Sequence, residues 1–379
     1  AGSDPARYAE AAAAFDRSLA VQADGNVAAL AGQAALADAR HQFVDGARAA
    51  DRALAIDPLS PVALAALTDA LTELGRYPQA AQAAQRLDDA RPGVASFTRL
   101  SYQAELRGHP AQARDLLRRA ATAADSPAEV AFCRAQEGLL ALAVGDPAGA
   151  AAALAALAAG TVQAPADTTL LHLKARLAWA TGDKAGARDA YARLVERRPT
   201  PAFATEQAEL LAALGDSGGA AAALDVARAG YRLNTGSGVA VDPGQVLFEA
   251  DHGSPAAAAR LGAQLWAAAP SVSSADAYAW ALHSARPSAV HPQAVHPPAA
   301  GQEATALQLA DRALWLGGRT ATTLYHRAEI RATLGQRAGA VADLRAALTL
   351  EPRFSPLHSP RAQALLTSLT PQTSPGGAR

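Results

Sequence analysis

Residues 61–92 read PVALAALTDALTELGRYPQAAQAAQRLDDARP, and this stretch decides the fold. Leucines recur in its first half at steps of three and four residues, which is the spacing of the apolar face of an amphipathic helix. Gly75 ends that helix, residues 78–90 predict a second one, and Pro92 closes the unit. The stretch therefore predicts a helix–turn–helix in which the small Ala80 lies where two helices cross closely.

The same unit recurs along the chain with a period close to 34 residues. A small residue in the second helix marks each copy, and successive copies are 35, 34, 33, 37, 37, 33, 38, 48 and 34 residues apart. These residues are Ala11, Gly46, Ala80, Ala113, Ala150, Ala187, Ala220, Ala258, Ala306 and Ala340. A fixed period of this length indicates one supersecondary unit that is stacked repeatedly. The longer spacings predict loops near 160–167 and 230–240.

The unit resembles the tetratricopeptide repeat, a helix–turn–helix of about 34 residues with a turn glycine, an early alanine in the second helix and a closing proline. The resemblance covers nearly all of residues 7–353, and the turn glycines keep the register of the small residues. These glycines are Gly75, Gly108, Gly145, Gly182, Gly215, Gly253 and Gly335. The resemblance implies an all-α fold, a right-handed α-solenoid of stacked repeats; an ordinary helical bundle is the alternative.

The predicted solenoid spans residues 7–353 as one array. The chain begins inside a unit, so a leading half-repeat at 7–26 has no first helix before it, and about nine helical pairs follow at 27–353. We expect residues 354–369 to form a capping helix, because a solenoid has to close its exposed core. The polar residues 370–379 are expected to be disordered.

Composition argues against several classes of function. The formal net charge of the 379 residues is −1, which gives no reason to expect binding to nucleic acid or to an anionic membrane surface. No apolar run is long enough to span a bilayer, and the lone Cys133 leaves no disulfide framework. The sequence GDSGG at 215–219 matches a serine-protease motif, but it falls at a turn between helices, where these residue types are common. We expect no enzyme activity and no cofactor.

Four stretches resemble those of GC-rich bacterial tetratricopeptide proteins that carry an N-terminal signal or anchor and work outside the cytoplasm. They are FTRLSYQAELRG (97–108), FEADHG (248–253), LYHRAEI (324–330) and FSPLHSP (354–360). The chain begins with alanine and contains no methionine, so we expect it to be a trimmed or processed product. The resemblance implies a secreted or membrane-anchored extracytoplasmic protein of bacteria, with the cytoplasm as the alternative.

The longest spacing, of 48 residues, predicts an insertion rich in histidine and proline at about 287–302. His291 and His296 lie there in two copies of AVHP, and His283 precedes them on a helix. Three imidazoles near one loop could hold a divalent metal such as zinc, nickel or copper. Extracytoplasmic metal handling is therefore the alternative function, and a passive surface loop is the simpler interpretation.

In a tetratricopeptide array the first helices line the concave face, and this register predicts which side chains face the groove. They are Asp69, Glu73, Tyr102, Glu105, Phe132, His172, Arg176, Trp179, Glu209, Trp280, His283, Tyr325 and Glu329, together with Asp38, Asp251 and Asp276. Acidic residues outnumber basic ones by eight to one in this set. The set predicts a non-enzymatic scaffold whose acidic groove, with aromatic anchors, binds a protein or peptide of basic character. Alternatively, these are solvated helix faces, and the two tryptophans pack between repeats.

Overall fold

A computed structural model describes residues 5–158, 168–286 and 300–370 of the chain. Within these ranges it contains a short 3₁₀ turn at Pro5–Arg7, twenty α-helices and no β-strand. The helices are α1 (Tyr8–Val21), α2 (Val27–Ala39), α3 (Phe43–Ile56), α4 (Pro61–Glu73), α5 (Tyr77–Ala90), α6 (Val94–Leu106), α7 (Pro110–Thr122), α8 (Pro127–Ala143), α9 (Pro147–Ala158), α10 (Thr168–Thr181), α11 (Lys184–Arg197), α12 (Pro201–Ala213), α13 (Ser217–Gly236), α14 (Pro243–His252), α15 (Pro255–Ala268), α16 (Val272–Ser284), α17 (Ala300–Ala313), α18 (Ala321–Thr333), α19 (Arg337–Leu350) and α20 (His358–Leu369). The predicted all-α solenoid is confirmed.

The helices pack as successive pairs, from α2 with α3 to α18 with α19. At the two ends, α1 packs on α2, and α20 packs on α19. The first helices of neighbouring pairs also contact one another, as α2 does with α4, α8 with α10, and α14 with α16. Side-chain hydrogen bonds of His172 with Glu206 and of His252 with Glu209 link α10 with α12 and α12 with α14. This row of first helices carries the candidate site.

The repeated small residues lie buried where the two helices of a pair cross. The side chains of Ala80, Ala113, Ala150, Ala187, Ala258, Ala306 and Ala340 have no exposed surface. Ala11 is only half-buried, because α1 is the first described helix and packs on α2 alone among the long helices. Since a larger side chain would have to push the helices apart, each crossing requires a small one.

Most first helices end in a residue with left-handed backbone geometry. The angle φ is +68° at Gly75 and +74° at Gly335, values that L-residues other than glycine rarely adopt. Gly253 departs from the prediction, because its φ of −126° needs no glycine. In the first pair the left-handed residue is His41, with φ of 57°, so the turn forms there without glycine.

The long helix α13 corrects one predicted loop. It runs for 20 residues to Gly236, so most of the loop expected at 230–240 is helical. At its start, Asp216 Oδ1 accepts a hydrogen bond from the backbone N–H of Gly219 at 2.9 Å. The GDSGG motif is therefore a helix turn and N-cap, as interpreted.

Three sequence predictions fall wholly or mainly outside the described residues. They concern the loop near 160–167, the insertion at about 287–302 and the tail at 370–379. Among the described helices, none is long and apolar enough to cross a membrane.

Successive turns of the superhelix touch along a seam. The backbone N–H of Ala240 donates to Arg40 O at 2.9 Å, and that of Gly318 donates to Leu106 O at 3.0 Å. The N–H of Val272 donates to the hydroxyl of Tyr77 at 2.7 Å, across 195 residues of sequence. The turn between α2 and α3 thus meets the connection from α13 to α14, between five and six helical pairs further on. The seam closes the gap between one superhelical turn and the next, and the first helices therefore lie inside a closed superhelix.

Candidate functional site

The enclosed faces of α4, α6 and α8 form a cavity of about 710 Å³, which we call the front chamber. Five predicted groove residues line it: Asp69 and Glu73 from α4, Tyr102 and Glu105 from α6, and Phe132 from α8. On α4 and on α6 the two residues are four and three positions apart, so each pair projects from one face of its helix. The structure therefore brings these five side chains together in one chamber.

The front chamber carries an excess of negative charge. Among its described lining residues Arg99 is the only base, and its Nε donates to Asp69 Oδ1 at 2.9 Å. Neither Glu73 nor Glu105 forms a salt bridge within the described ranges. Burial raises the pKa of both carboxyl groups above the usual range. An ionised carboxylate here is costly by itself, so the chamber favours a ligand that brings positive charge.

Asp38 on α2 places another buried carboxyl group close to this acidic cluster. Its Oδ1 and Oδ2 have no hydrogen-bond partner in the part of the chain that the structure describes. Burial, reinforced by the negative charge of Asp69, raises the pKa of Asp38 to about 8. With Asp69 and Glu73, Asp38 lines a further cavity of about 660 Å³, so the acidic surface continues from the front chamber towards α2.

We expect Asp38→Asn to remove part of the pH dependence of stability. A pKa raised from 3.8 to about 8 on folding means that the folded protein binds more protons than the unfolded chain between these two values. The free energy of unfolding therefore falls as pH rises from about 4 to about 8, by up to about 1.4 kcal/mol per pH unit for one such group.

Asp38→Asn should flatten this slope and stabilise the protein at the alkaline end of the window. Urea unfolding over a series of pH values measures it, with Asp51→Asn on the exposed side of α3 as the matched control. The same slope in both variants would show that the Asp38 carboxyl titrates alike in the folded and unfolded chains.

A second cavity of about 270 Å³, the rear chamber, lies where α10, α12 and α14 face α18 and the segment before α20. Four predicted groove residues line it, namely Arg176, Trp179, Glu209 and Asp251. The C-terminal segment bonds to two of them across the seam. Arg176 Nη2 donates to Glu351 Oε1 at 3.0 Å, and Ser355 Oγ donates to Glu209 Oε2 at 3.2 Å. The chain therefore partly closes this end of the predicted groove itself.

His172, another predicted groove residue, belongs to a hydrogen-bonded group beside the rear chamber. Its Nε2 and the hydroxyl of Tyr191 each lie 2.7 Å from Glu206 Oε2. Burial acts to raise the pKa of Glu206, but His172, Arg176 and these hydrogen bonds outweigh it and lower the pKa to about 2. Glu206 is thus an anion whose charge is already compensated within the wall.

Four residues predicted to face the groove are buried instead. The exposed fractions are 6% for Asp276, 5% for Trp280, 3% for His283 and 1% for Tyr325. Trp280 Nε1 donates to Asp251 Oδ1 at 3.0 Å, and the hydroxyl of Tyr325 donates to Glu329 Oε1 at 2.8 Å. These rings fill the space between α16, α18 and α20, so they are packing residues and not exposed anchors.

The predicted metal ligands are not brought together in the described part of the chain. His283 Nδ1 lies 3.1 Å from Glu303 Oε2, so this imidazole already has a carboxylate partner. His291 and His296 lie outside the described residues. Within the ranges that are described, no group of three or more His, Cys, Asp or Glu side chains is arranged to hold a metal ion.

Two histidines that the sequence reasoning missed, His326 and His358, line the rear chamber. They come from two of the stretches that suggested the bacterial resemblance, LYHRAEI and FSPLHSP, and a third stretch, FEADHG, meets them there. The fourth stretch, FTRLSYQAELRG, supplies much of the front chamber. Histidine and aromatic residues within an alanine-rich repeat were the signal that could have identified these positions.

Residues 321–354, which contain α18 and α19, match the family model of the tetratricopeptide repeat. The match confirms the resemblance seen in the sequence, and it identifies this stretch as a tetratricopeptide repeat. A comparison with curated proteins gave no match.

Several solved structures are similar in fold. Yeast Tom70 is 10% identical over 96% of this chain and 92% of that chain, with a TM-score of 0.35. A tetratricopeptide repeat protein from Parabacteroides merdae is 15% identical over 73% of this chain and 98% of that chain, with a TM-score of 0.36. The Cut9–Hcn1 hetero-tetramer of APC/C gives 11% identity over 97% of this chain, 53% of that chain and a TM-score of 0.42. This chain therefore spans about half the length of that relative.

Proposed function

We propose that this protein is a non-catalytic scaffold whose front chamber binds a basic segment of a partner protein. The observation that carries the proposal is the pair of carboxyl groups on Glu73 and Glu105, which share a 710 Å³ cavity with the rings of Tyr102 and Phe132. The single base of the described lining, Arg99, is already paired with Asp69. A Lys or Arg side chain from a partner would supply the missing positive charge.

The energetics of the chamber favour such a side chain. Burial already disfavours the ionised forms of Glu73 and Glu105, so an incoming cation offsets a cost that is present in the free protein. The ring of Tyr102 is 38% exposed, and a cation over such a ring gains about 0.5–2 kcal/mol. The cavity volume lies within the range of about 300–1,000 Å³ that is typical of ligand sites. The chamber therefore has room for a short extended segment.

A direct test measures binding of capped, fluorescently labelled heptapeptides that differ only in charge. We expect saturable binding of a peptide with two Arg and two Lys. The peptides with Glu or Gln at those four positions should not bind. The double variant Glu73→Gln, Glu105→Gln should bind the basic peptide at least about tenfold more weakly, because it removes the partners of a buried cation.

The matched control for this test is the double variant Glu10→Gln, Glu196→Gln, which changes the same charge at exposed positions. Binding by the wild-type protein should also strengthen as pH rises through the raised pKa of Glu73 and Glu105, since a cation binds the deprotonated carboxylates. Equal affinities of the two double variants, or equal binding of the acidic peptide, would refute the proposal.

The location that we propose is extracytoplasmic, in a bacterium. It rests on the four stretches that resemble secreted or anchored tetratricopeptide proteins. Fractionation of the parent cells with an antibody against this chain tests it, and recovery with the cytoplasmic fraction would reject it.

A further inference from the structure

A third cavity, of about 750 Å³, lies at the seam, and we call it the seam cavity. Its walls come chiefly from α1 and the turn after α2 on one superhelical turn, and from the ends of α11, α12, α13 and α14 on the next. Two of its lining residues, Ala39 and Val239, flank the seam contact between Arg40 O and the N–H of Ala240. Its volume lies within the range of about 300–1,000 Å³ that is typical of ligand sites.

The seam cavity contains two arginines without an ionic partner. Arg197 and Arg198, at the end of α11, line it, and neither side chain forms a salt bridge or hydrogen bond within the described residues. Asp242 is the one carboxylate of the described lining. Its Oδ1 already accepts a hydrogen bond from the N–H of Gln245 at 2.7 Å, and its Oδ2 lies 4.0 Å from His41 Nδ1. The uncompensated charge of the cavity is therefore positive.

Two buried tyrosines line the same cavity and have unused hydroxyl groups. The exposed fractions are 7% for Tyr8 and 8% for Tyr231. Neither hydroxyl has a hydrogen-bond partner among the described residues, and neither is cut off from solvent. Burial, together with the negative charges of Asp242 and Glu249, raises the pKa of Tyr231, so its hydroxyl stays protonated and can donate. A buried tyrosine usually finds a partner for its hydroxyl, so these two groups are available to a ligand.

Much of the remaining wall is apolar. Pro199 and Pro201 come from the start of α12 and the turn before it, Leu233 from α13, and Val239 from the connection to α14. The side chain of Leu233 is 52% exposed, so the wall leaves apolar surface in contact with water. A ligand with a hydrocarbon chain would cover this surface and gain from the hydrophobic effect.

We infer that the seam cavity binds an aliphatic carboxylate, a small organic anion with an apolar chain. The carboxylate pairs with Arg197 and Arg198, and Tyr231 donates a hydrogen bond to it. The alkyl chain covers Leu233 and Val239. Two arginines against one aspartate favour a singly charged anion over a phosphate dianion. The seam cavity shares no lining residue with the front chamber, and the inference does not rest on the function proposed there.

The test is calorimetric titration of the full chain with n-octanoate, n-butyrate and 1-octanol. We expect saturable binding of octanoate, at least about tenfold tighter than that of octanol, because only the carboxylate pairs with the arginines. Butyrate should bind more weakly than octanoate, by up to about fourfold for each methylene removed. Absence of saturable octanoate binding, or equal affinity for octanol, would overturn the inference.

A matched pair of double variants locates the charged end of the site. Arg197→Gln, Arg198→Gln should weaken octanoate binding at least about tenfold, because it removes both cations. The control is Arg193→Gln, Arg232→Gln, which removes the same charge from exposed positions on α11 and α13 that do not line the cavity. The control should bind octanoate like the wild type. Equal affinities of the two double variants would overturn the inference.

Labelling of the wild-type protein keeps the test independent of how the variants fold. A photoreactive diazirine analogue of octanoate should modify residues around Leu233, mapped by mass spectrometry, and excess octanoate should suppress this labelling. Labelling confined to other parts of the chain would contradict the inference. Loss of octanoate binding alone, with the basic heptapeptide still bound, would reject this inference and leave the proposed scaffold function intact.

Discussion

Replacing Trp280 by alanine should lower the free energy of unfolding by about 4 kcal/mol. The indole is 95% buried, since its exposed fraction is 5%, and it stacks on the ring of His326 with 4.3 Å between the ring centroids. It also packs against Tyr325 and His358. The substitution opens a cavity among these rings and deprives Asp251 of a hydrogen-bond donor.

The matched control is Trp315→Ala, which removes the same side chain from a position that is 51% exposed. The indole of Trp315 lies under the guanidinium of Arg312 at 4.2 Å, so its loss should cost about 1 kcal/mol or less. Urea unfolding followed by far-ultraviolet circular dichroism compares the two variants. Similar losses of stability would mean that Trp280 does not hold α16, α18 and α20 together.

Gly75→Ala should destabilise the protein by about 3 kcal/mol, and Gly335→Ala by only about 1–2 kcal/mol. Both glycines have left-handed backbone geometry, with φ of +68° and +74°, so adding a Cβ has the same conformational cost at each position. At Gly75, however, the added Cβ would lie 2.5 Å from the carbonyl oxygen of Pro270 on the next superhelical turn. At Gly335 it would meet no atom within 4 Å.

The difference between the two losses of stability measures what the contact across the seam contributes. Besides losing stability, Gly75→Ala should open the contact between turns and increase the radius of gyration measured by small-angle X-ray scattering. Gly335→Ala should scatter like the wild type. If both variants lost the same free energy and kept the same dimensions, the contact at Pro270 would contribute nothing to the closed superhelix.

The helical pairs followed directly from the sequence. The signals that predict these pairs depend only on contacts within one unit or between neighbouring units. They are the three- and four-residue leucine spacing, a left-handed glycine such as Gly75 and a small residue such as Ala80. The predicted second helix at 78–90 differs from α5 by one residue at its start. The lining of the front chamber could be predicted from the sequence for the same reason, because Glu73, Tyr102 and Glu105 project from neighbouring first helices in one register.

The sequence by itself determined the repeat, the helix pairing and the acidic character of the inner face, since these depend on residues that are close along the chain. Only the tertiary structure decided that Trp280 is buried and that His326 borders a chamber with Asp251. Trp280 and His326 contact helices of neighbouring repeats, and the far wall of the chamber is completed by the Arg176–Glu351 and Glu209–Ser355 bonds, 175 and 146 positions apart. The seam joins residues about 200 positions apart. The small rotation between neighbouring repeats accumulates over more than five pairs before it brings them together, and no local pattern records that sum.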